Sequence, residues 1–125
     1  MRYALYFSPD PASLFGGLAA SWIGRDAQSG KPVLHPDLDG LGASELASIT
    51  GPARRYGFHA TLKAPFRLAE GVREADLVAA LEDFASQTVA FDIPSLVVGQ
   101  LDGFIALVPG EAAPQLNAFA NSVVE

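Results

Sequence analysis

The stretch RYGFHATLKAPF, Arg55 to Phe66, sets His59, Thr61 and Lys63 at every second position. In an extended strand such residues share one face. Histidine titrates near neutrality, so it can lend or take a proton at a reacting phosphate oxygen. The threonine hydroxyl can donate to a phosphoryl oxygen, and lysine adds a positive point charge. Gly57, two positions earlier, is expected on the same face, leaving room for a ligand to approach. Phe58, Ala60 and Leu62 form the opposite, apolar face and are expected to meet the core. The same alternation also describes a strand with a solvated polar face and no chemistry, and spacing alone leaves both readings open.

Other chemistries fit less well. A lone histidine without a neighbouring carboxylate or second histidine offers too few ligands for a metal, so neither metal nor cofactor is expected. No nucleophile-elbow motif supports a Ser-His-Asp arrangement. The chain has no cysteine, which excludes disulfides, thiolate ligands and cysteine nucleophiles. The second histidine, His35, lies between Leu34 and Pro36 in a Gly-, Pro- and Asp-rich stretch and is expected to be an ordinary surface residue.

Charge narrows the partners. Fourteen acidic residues against eight basic ones give a net charge of −6, so a long nucleic acid is a poor partner. Four of the eight basic residues, Arg54, Arg55, Lys63 and Arg67, nevertheless fall within a short span, which suits a small phosphorylated molecule. The N-terminal MRYALYFSPDP lacks the pattern of a signal peptide, and no stretch reaches membrane-spanning length. A cytoplasmic protein without a membrane partner is expected.

The elements that must hold this face follow from periodicity. Arg2 to Phe7 reads as a strand, with Tyr6 on its more polar side. Tyr6 becomes a substrate-binding candidate if that strand neighbours the one carrying His59. Asp10 and Pro11 predict a helix start, Leu14, Phe15, Leu18, Trp22 and Ile23 a buried stripe, and Gly24 a stop. Residues 25–42 are expected to be irregular, and Ser44 to Thr50 a short helix halted by Gly51 and Pro52. Glu74 to Ala85 predicts a helix. Phe91 and Ile93 alternate weakly before Pro94. Leu96 to Leu101 and Phe104 to Val108 flank Asp102-Gly103 as a hairpin. Pro114 opens a last helix, with Leu116, Phe119, Ala120 and Val123 on one side. The order predicts a single α+β domain over residues 1–125, its mostly antiparallel sheet covered by helices on one face. That last helix meets no cap at Glu125, which predicts that the natural polypeptide continues.

RYALYFSP, WIGRDAQSG and YGFHATLKAPF, in that order, resemble the 2H phosphoesterase superfamily, in particular its branch associated with phosphonate metabolism. That superfamily includes RNA ligase-like and cyclic phosphodiesterase enzymes. The resemblance implies a bilobal α+β fold in which each half gives one His-x-Thr/Ser motif to a shared groove. It implies metal-independent proton transfer by two histidines on a small cyclic phosphate or related phosphodiester. His59 and Thr61 match the first motif, and Lys63 matches the branch's extension of it. A second motif is missing, since His35 is followed by Pro36 and Asp37. The chain thus resembles an N-terminal lobe, expected to have little activity alone. Two alternatives stand beside this reading: a binding module for a phosphorylated small molecule, and a half-domain completed as a homodimer.

Overall fold

The structure is a computed structural model describing residues 1–125. Its elements run β1 (Tyr3–Phe7), α1 (Leu14–Ile23), α2 (Ala43–Ile49), α3 (Gly51–Arg54), β2 (Ala60–Phe66), α4 (Glu74–Gln87), β3 (Leu96–Leu101), β4 (Phe104–Pro109) and α5 (Pro114–Val124). The class is α+β. The expected single sheet is instead two two-stranded antiparallel sheets, β1–β2 and β3–β4. The chain divides into two compact units, residues 4–64 and residues 1–3 with 65–125. No helix is long and apolar enough to cross a membrane.

Residues 4–64 hold the histidine motif. The first helix begins at Leu14, later than the Asp10-Pro11 pair predicts, because Asp10 spends its side chain on a preceding turn. Its Oδ1 accepts from the Ala12 amide at 2.9 Å, and Ser13 Oγ takes over as the cap, accepting from the Gly16 amide at 3.0 Å. Gly24 ends the helix with φ 83°, a left-handed stop that glycine adopts without a Cβ penalty. Of the expected apolar stripe the helix buries only Ile23. Gly16, Ala19 and Ile23 are buried, whereas Leu14, Phe15, Leu18 and Trp22 are exposed. The small face turns inward because a Cβ at Gly16 would lie 2.0 Å from the Asp10 carbonyl oxygen, so only glycine lets the backbones meet.

α2 ends at Ile49 with Thr50 as its cap, as Gly51 and Pro52 predict, and a further short helix opens directly after it. The helix α3 starts at Gly51 with proline in its first turn, where a missing N–H costs nothing. Leu46 of α2 is the most deeply buried large side chain, at 1 % exposure. Next to it Thr50 is buried with its hydroxyl donating to the Leu46 carbonyl at 2.8 Å. Leu62 of β2 and Phe58, two residues before the strand, are half-buried, and Phe58 meets the edge of Phe15 at 5.6 Å. Ala60 is exposed, because a two-stranded ribbon leaves part of each face uncovered.

The second unit is built on aromatic contacts between helices. Phe119 of α5 lies 6.2 Å from Phe84 of α4 and 5.7 Å from Phe91. Phe91 and Ile93 belong to no strand. At the start of α4, Asp76 accepts the Arg73 amide at 2.9 Å and the Arg73 guanidinium at 3.0 Å. That pairing holds the Asp76 carboxyl below its usual range. The β3–β4 hairpin turns through Asp102 and Gly103, both at positive φ, as the Asp-Gly signal demands. Apolar residues point to both of its sides. Val98 and Ile105 are exposed at 72 % and 69 % on one face, and Phe104 at 60 % on the other.

Leu46→Ala should lower unfolding free energy by about 2–5 kcal/mol through cavity formation, while Leu34→Ala, at a site 90 % exposed, should stay within about 0.5 kcal/mol. Urea unfolding followed by circular dichroism reads both.

Candidate active site

His59 lies one residue before β2, on the far side of a sharp turn. That turn is made at Gly57, whose φ of 79° is left-handed and closed to most side chains. Gly57 therefore does not continue the strand face of His59, and the room it provides is not for a ligand. A Cβ there would fall 2.7 Å from the Ala27 Cα and 3.0 Å from its nitrogen. The glycine is buried so that two backbone segments can touch.

The turn fixes the imidazole. Nδ1 of His59 is 2.9 Å from the Gly57 carbonyl oxygen. A carbonyl can only accept, so Nδ1 carries the hydrogen and the neutral ring keeps its lone pair on Nε2. The ring of Tyr6 lies 4.3 Å from that of His59, tilted by 34°, because β1 pairs with β2. Tyr56, which the sequence reading did not single out, lies 6.1 Å away on the same cluster. Both phenols are about half exposed. Thr61 follows on β2 with an exposed side chain, and Lys63, two residues further on, is half-buried. Thr61 and Lys63 alternate within β2, whereas His59 precedes the strand.

The basic cluster is less concentrated than the sequence suggests. The Arg54 guanidinium turns away to donate to the Ala47 carbonyl at 3.0 Å and lies 3.2 Å from His35 Nε2. His35 in turn places Nδ1 3.1 Å from the Trp22 carbonyl. It is thus a half-buried clamp on the end of α1, not a loose surface residue. Arg55 stays at the site, its guanidinium 5.8 Å above the Tyr56 ring.

A cavity lined in part by Arg25, Asp26 and Phe58 holds about 20 Å³, far below the roughly 300 Å³ of a small-molecule pocket. A larger groove of about 340 Å³ in the second unit is lined by residues such as Val89, Phe91, Gln115 and Phe119, without a cation to hold phosphate. No three histidine, aspartate or glutamate side chains gather closely enough to hold a metal ion.

The loop under the turn is itself locked. Asp26 Oδ1 accepts from the amides of Gln28 at 2.7 Å and Ser29 at 3.0 Å. The Ser29 amide, followed by that of Gln28, holds the Asp26 carboxyl below its usual value of 3.8.

The family described as a protein of unknown function, DUF1045, matches residues 61–125, and this chain belongs to that family. The match takes in Thr61 and Lys63 and begins just after His59. Two curated relatives are each called ribose 1,5-bisphosphate phosphokinase PhnN. The chain is 42 % identical to the one from Laribacter hongkongensis (strain HLHK9) over 124 residues, which is 99 % of this chain and 29 % of the relative. It is 43 % identical to the one from Janthinobacterium sp. (strain Marseille) over 106 residues, 85 % of this chain and 23 % of the relative. The chain thus spans less than a third of either relative's length. No solved structure matches it.

Two outcomes follow from this geometry. Gly57→Ala should destabilise the unit by about 1–3 kcal/mol, from backbone strain and the Ala27 clash, read as a lower thermal midpoint. Asp26 is depressed in the folded state, so its contribution is present above its unfolded pKa and is lost as pH falls through the lower folded value. Thermal midpoints should therefore drop on acidification below about pH 4, and Asp26→Asn should flatten part of that drop.

Proposed function

We propose that the face carrying His59, Thr61 and Lys63 is one wall of a phosphoester site acting in phosphonate metabolism, in the manner of the 2H phosphoesterases. The observation supporting this most is the held imidazole, with Nδ1–H committed to the Gly57 carbonyl and the Nε2 lone pair left for proton transfer. The PhnN name shared by the relatives supports the metabolic link. The ribose bisphosphate in that name makes phosphorylated sugars the first substrates to try.

In this scheme a water oxygen attacks the phosphorus of a small cyclic phosphodiester and one P–O ester bond breaks. Nε2 of His59 takes the proton from the water. Thr61 donates to a phosphoryl oxygen, Lys63 offsets the growing negative charge, and Tyr6 flanks the bound group. The leaving oxygen takes its proton from a second acid. The 2H scheme assigns that acid to a second His-x-Thr/Ser motif in an opposing lobe, and residues 1–125 contain only the motif at His59 and Thr61. This chain is then one lobe of a bilobal site. The phosphokinase activity in the relatives' names is not carried over, since these residues contain no G-x-x-x-x-G-K-[ST] loop for nucleotide phosphates.

The single motif also favours a second reading, in which the chain binds a phosphorylated molecule without turning it over. The uncovered apolar hairpin favours completion of the fold by a second copy. Sedimentation velocity separates that last case from a monomer.

The test assays the intact natural polypeptide on 2′,3′-cyclic nucleotides and ribose cyclic phosphates. His59→Ala should lower kcat by about 10²–10⁴-fold. Thr61→Val should cost about 10–100-fold, the worth of one hydrogen bond to a charged group. Equal turnover by wild type and His59→Ala contradicts the proposal.

A further inference from the structure

Arg25 reaches across thirty positions of sequence to the turn before His59. Its Nη1 donates to the Arg55 carbonyl at 2.7 Å and reaches the Arg54 carbonyl at 3.5 Å. Its Nη2 would sit 3.0 Å from a Cβ added at Gly30, so the loop leaves that position bare beneath it. Meanwhile Nε of Arg25 is buried without a partner. Burying an unused donor on a charged group is unfavourable, so the geometry that forces it must be stabilised by the other contacts of the side chain.

The loop that carries Arg25 is rigid by its own bonds. The Asp26 amide donates to the Lys31 carbonyl at 3.0 Å, and the Gly30 amide to the Asp26 carbonyl at 2.9 Å. Arg25 and Pro32 form an antiparallel bridge, and the Asp26 side chain closes the tip through Gln28 and Ser29. Two residues after Arg25, Ala27 presses on Gly57. The same short loop therefore grips the turn twice, through the Arg55 carbonyl and through Gly57. The Gly57 carbonyl is the acceptor that sets His59.

We propose that Arg25 is a positioning residue for His59: by anchoring the carbonyl of Arg55 it holds the Gly57 carbonyl where it selects the Nδ1–H tautomer and aims Nε2 outward. This rests on the reading of His59 as the proton-transfer group, but its consequence for the imidazole is independent of turnover. Arginine suits the task because a planar, multi-donor guanidinium can span adjacent carbonyls, whereas lysine offers a single compact charge on a flexible stem. WIGRDAQSG then has a mechanical meaning, since its Arg25, Asp26 and Ala27 form the mould for the turn in YGFHATLKAPF.

The test uses Arg25→Met and Arg25→Lys in the intact protein, with circular dichroism to establish folding. Long-range ¹H–¹⁵N spectra report the tautomer of His59. Wild type should show hydrogen on Nδ1. Arg25→Met should show a mixture of tautomers, and Arg25→Lys an intermediate state. On a phosphodiester that wild type turns over, kcat/KM should fall by up to ~10²-fold in Arg25→Met, mostly through kcat, as for a misplaced reacting group. Arg25→Lys should recover part of the loss. If Arg25→Met does not fold, Arg25→Lys carries the test, and an unchanged His59 spectrum in it overturns the proposal. A folded Arg25→Met with hydrogen still fixed on Nδ1 also overturns it, whatever the activity. If instead the tautomer shifts while His59→Ala keeps full turnover, the positioning role stands and the catalytic reading of His59 falls.

Discussion

A backbone carbonyl can accept a hydrogen bond but never donate one, and at Gly57 this decides which nitrogen of His59 carries a proton. Everything proposed for the site depends on that bond. It needs the chain to double back within two residues, which needs a left-handed backbone, which needs glycine. The turn in turn needs a surface to lie on, and the loop beneath supplies one at Ala27. A histidine on a strand without such a turn would sample both tautomers and several rotamers. Here the ring has a fixed hydrogen bond and a phenol 4.3 Å from it.

The remainder of the structure is lightly packed for its apolar content. Half of the residues are hydrophobic, yet few large side chains are buried. The outer stripe of α1 and both faces of the β3–β4 hairpin leave leucine, valine, isoleucine, phenylalanine and tryptophan in contact with water. Apolar runs on both sides of a strand are the mark of one meant to be covered on both faces. Rigidity around His59 therefore comes mainly from hydrogen bonds and close backbone contacts, with little contribution from a deep core. This explains why the loop at residues 25–32 is so heavily cross-bonded.

What the sequence made legible was local. The helical stripes placed α4 and α5, Asp-Gly placed the hairpin turn, and alternation placed the strand through Thr61 and Lys63, though β2 begins only after His59. Some signals have two outlets. Asp10 can cap a helix or a turn, and here it caps the turn. Gly51-Pro52 can end a helix or begin one, and here it does both, after α2 and at the start of α3. Alternation puts Gly57 on the strand face, because nothing in its identity reveals a positive φ. The stripe on α1 looked like core because periodicity identifies an apolar face but not whether anything covers it. His35 and Arg25 were opaque for a different reason. Their partners lie 13 to 30 positions away, a relation created only when the loop folds back on α1 and on the turn. At the candidate site, spacing points to His59, Thr61 and Lys63, whereas the approach of Tyr56 and the hydrogen bond of His59 depend on how the turn at Gly57 folds.

The central claim is that Nε2 of His59 is the group presented to a phosphoryl ligand. Titrating inorganic phosphate into the intact protein while recording long-range ¹H–¹⁵N spectra of both histidines tests this directly. The His59 Nε2 resonance should move saturably while Nδ1 keeps its hydrogen, and His35, engaged with Trp22 and Arg54, should not respond. A His59 resonance that stays fixed while phosphate binds elsewhere would contradict it.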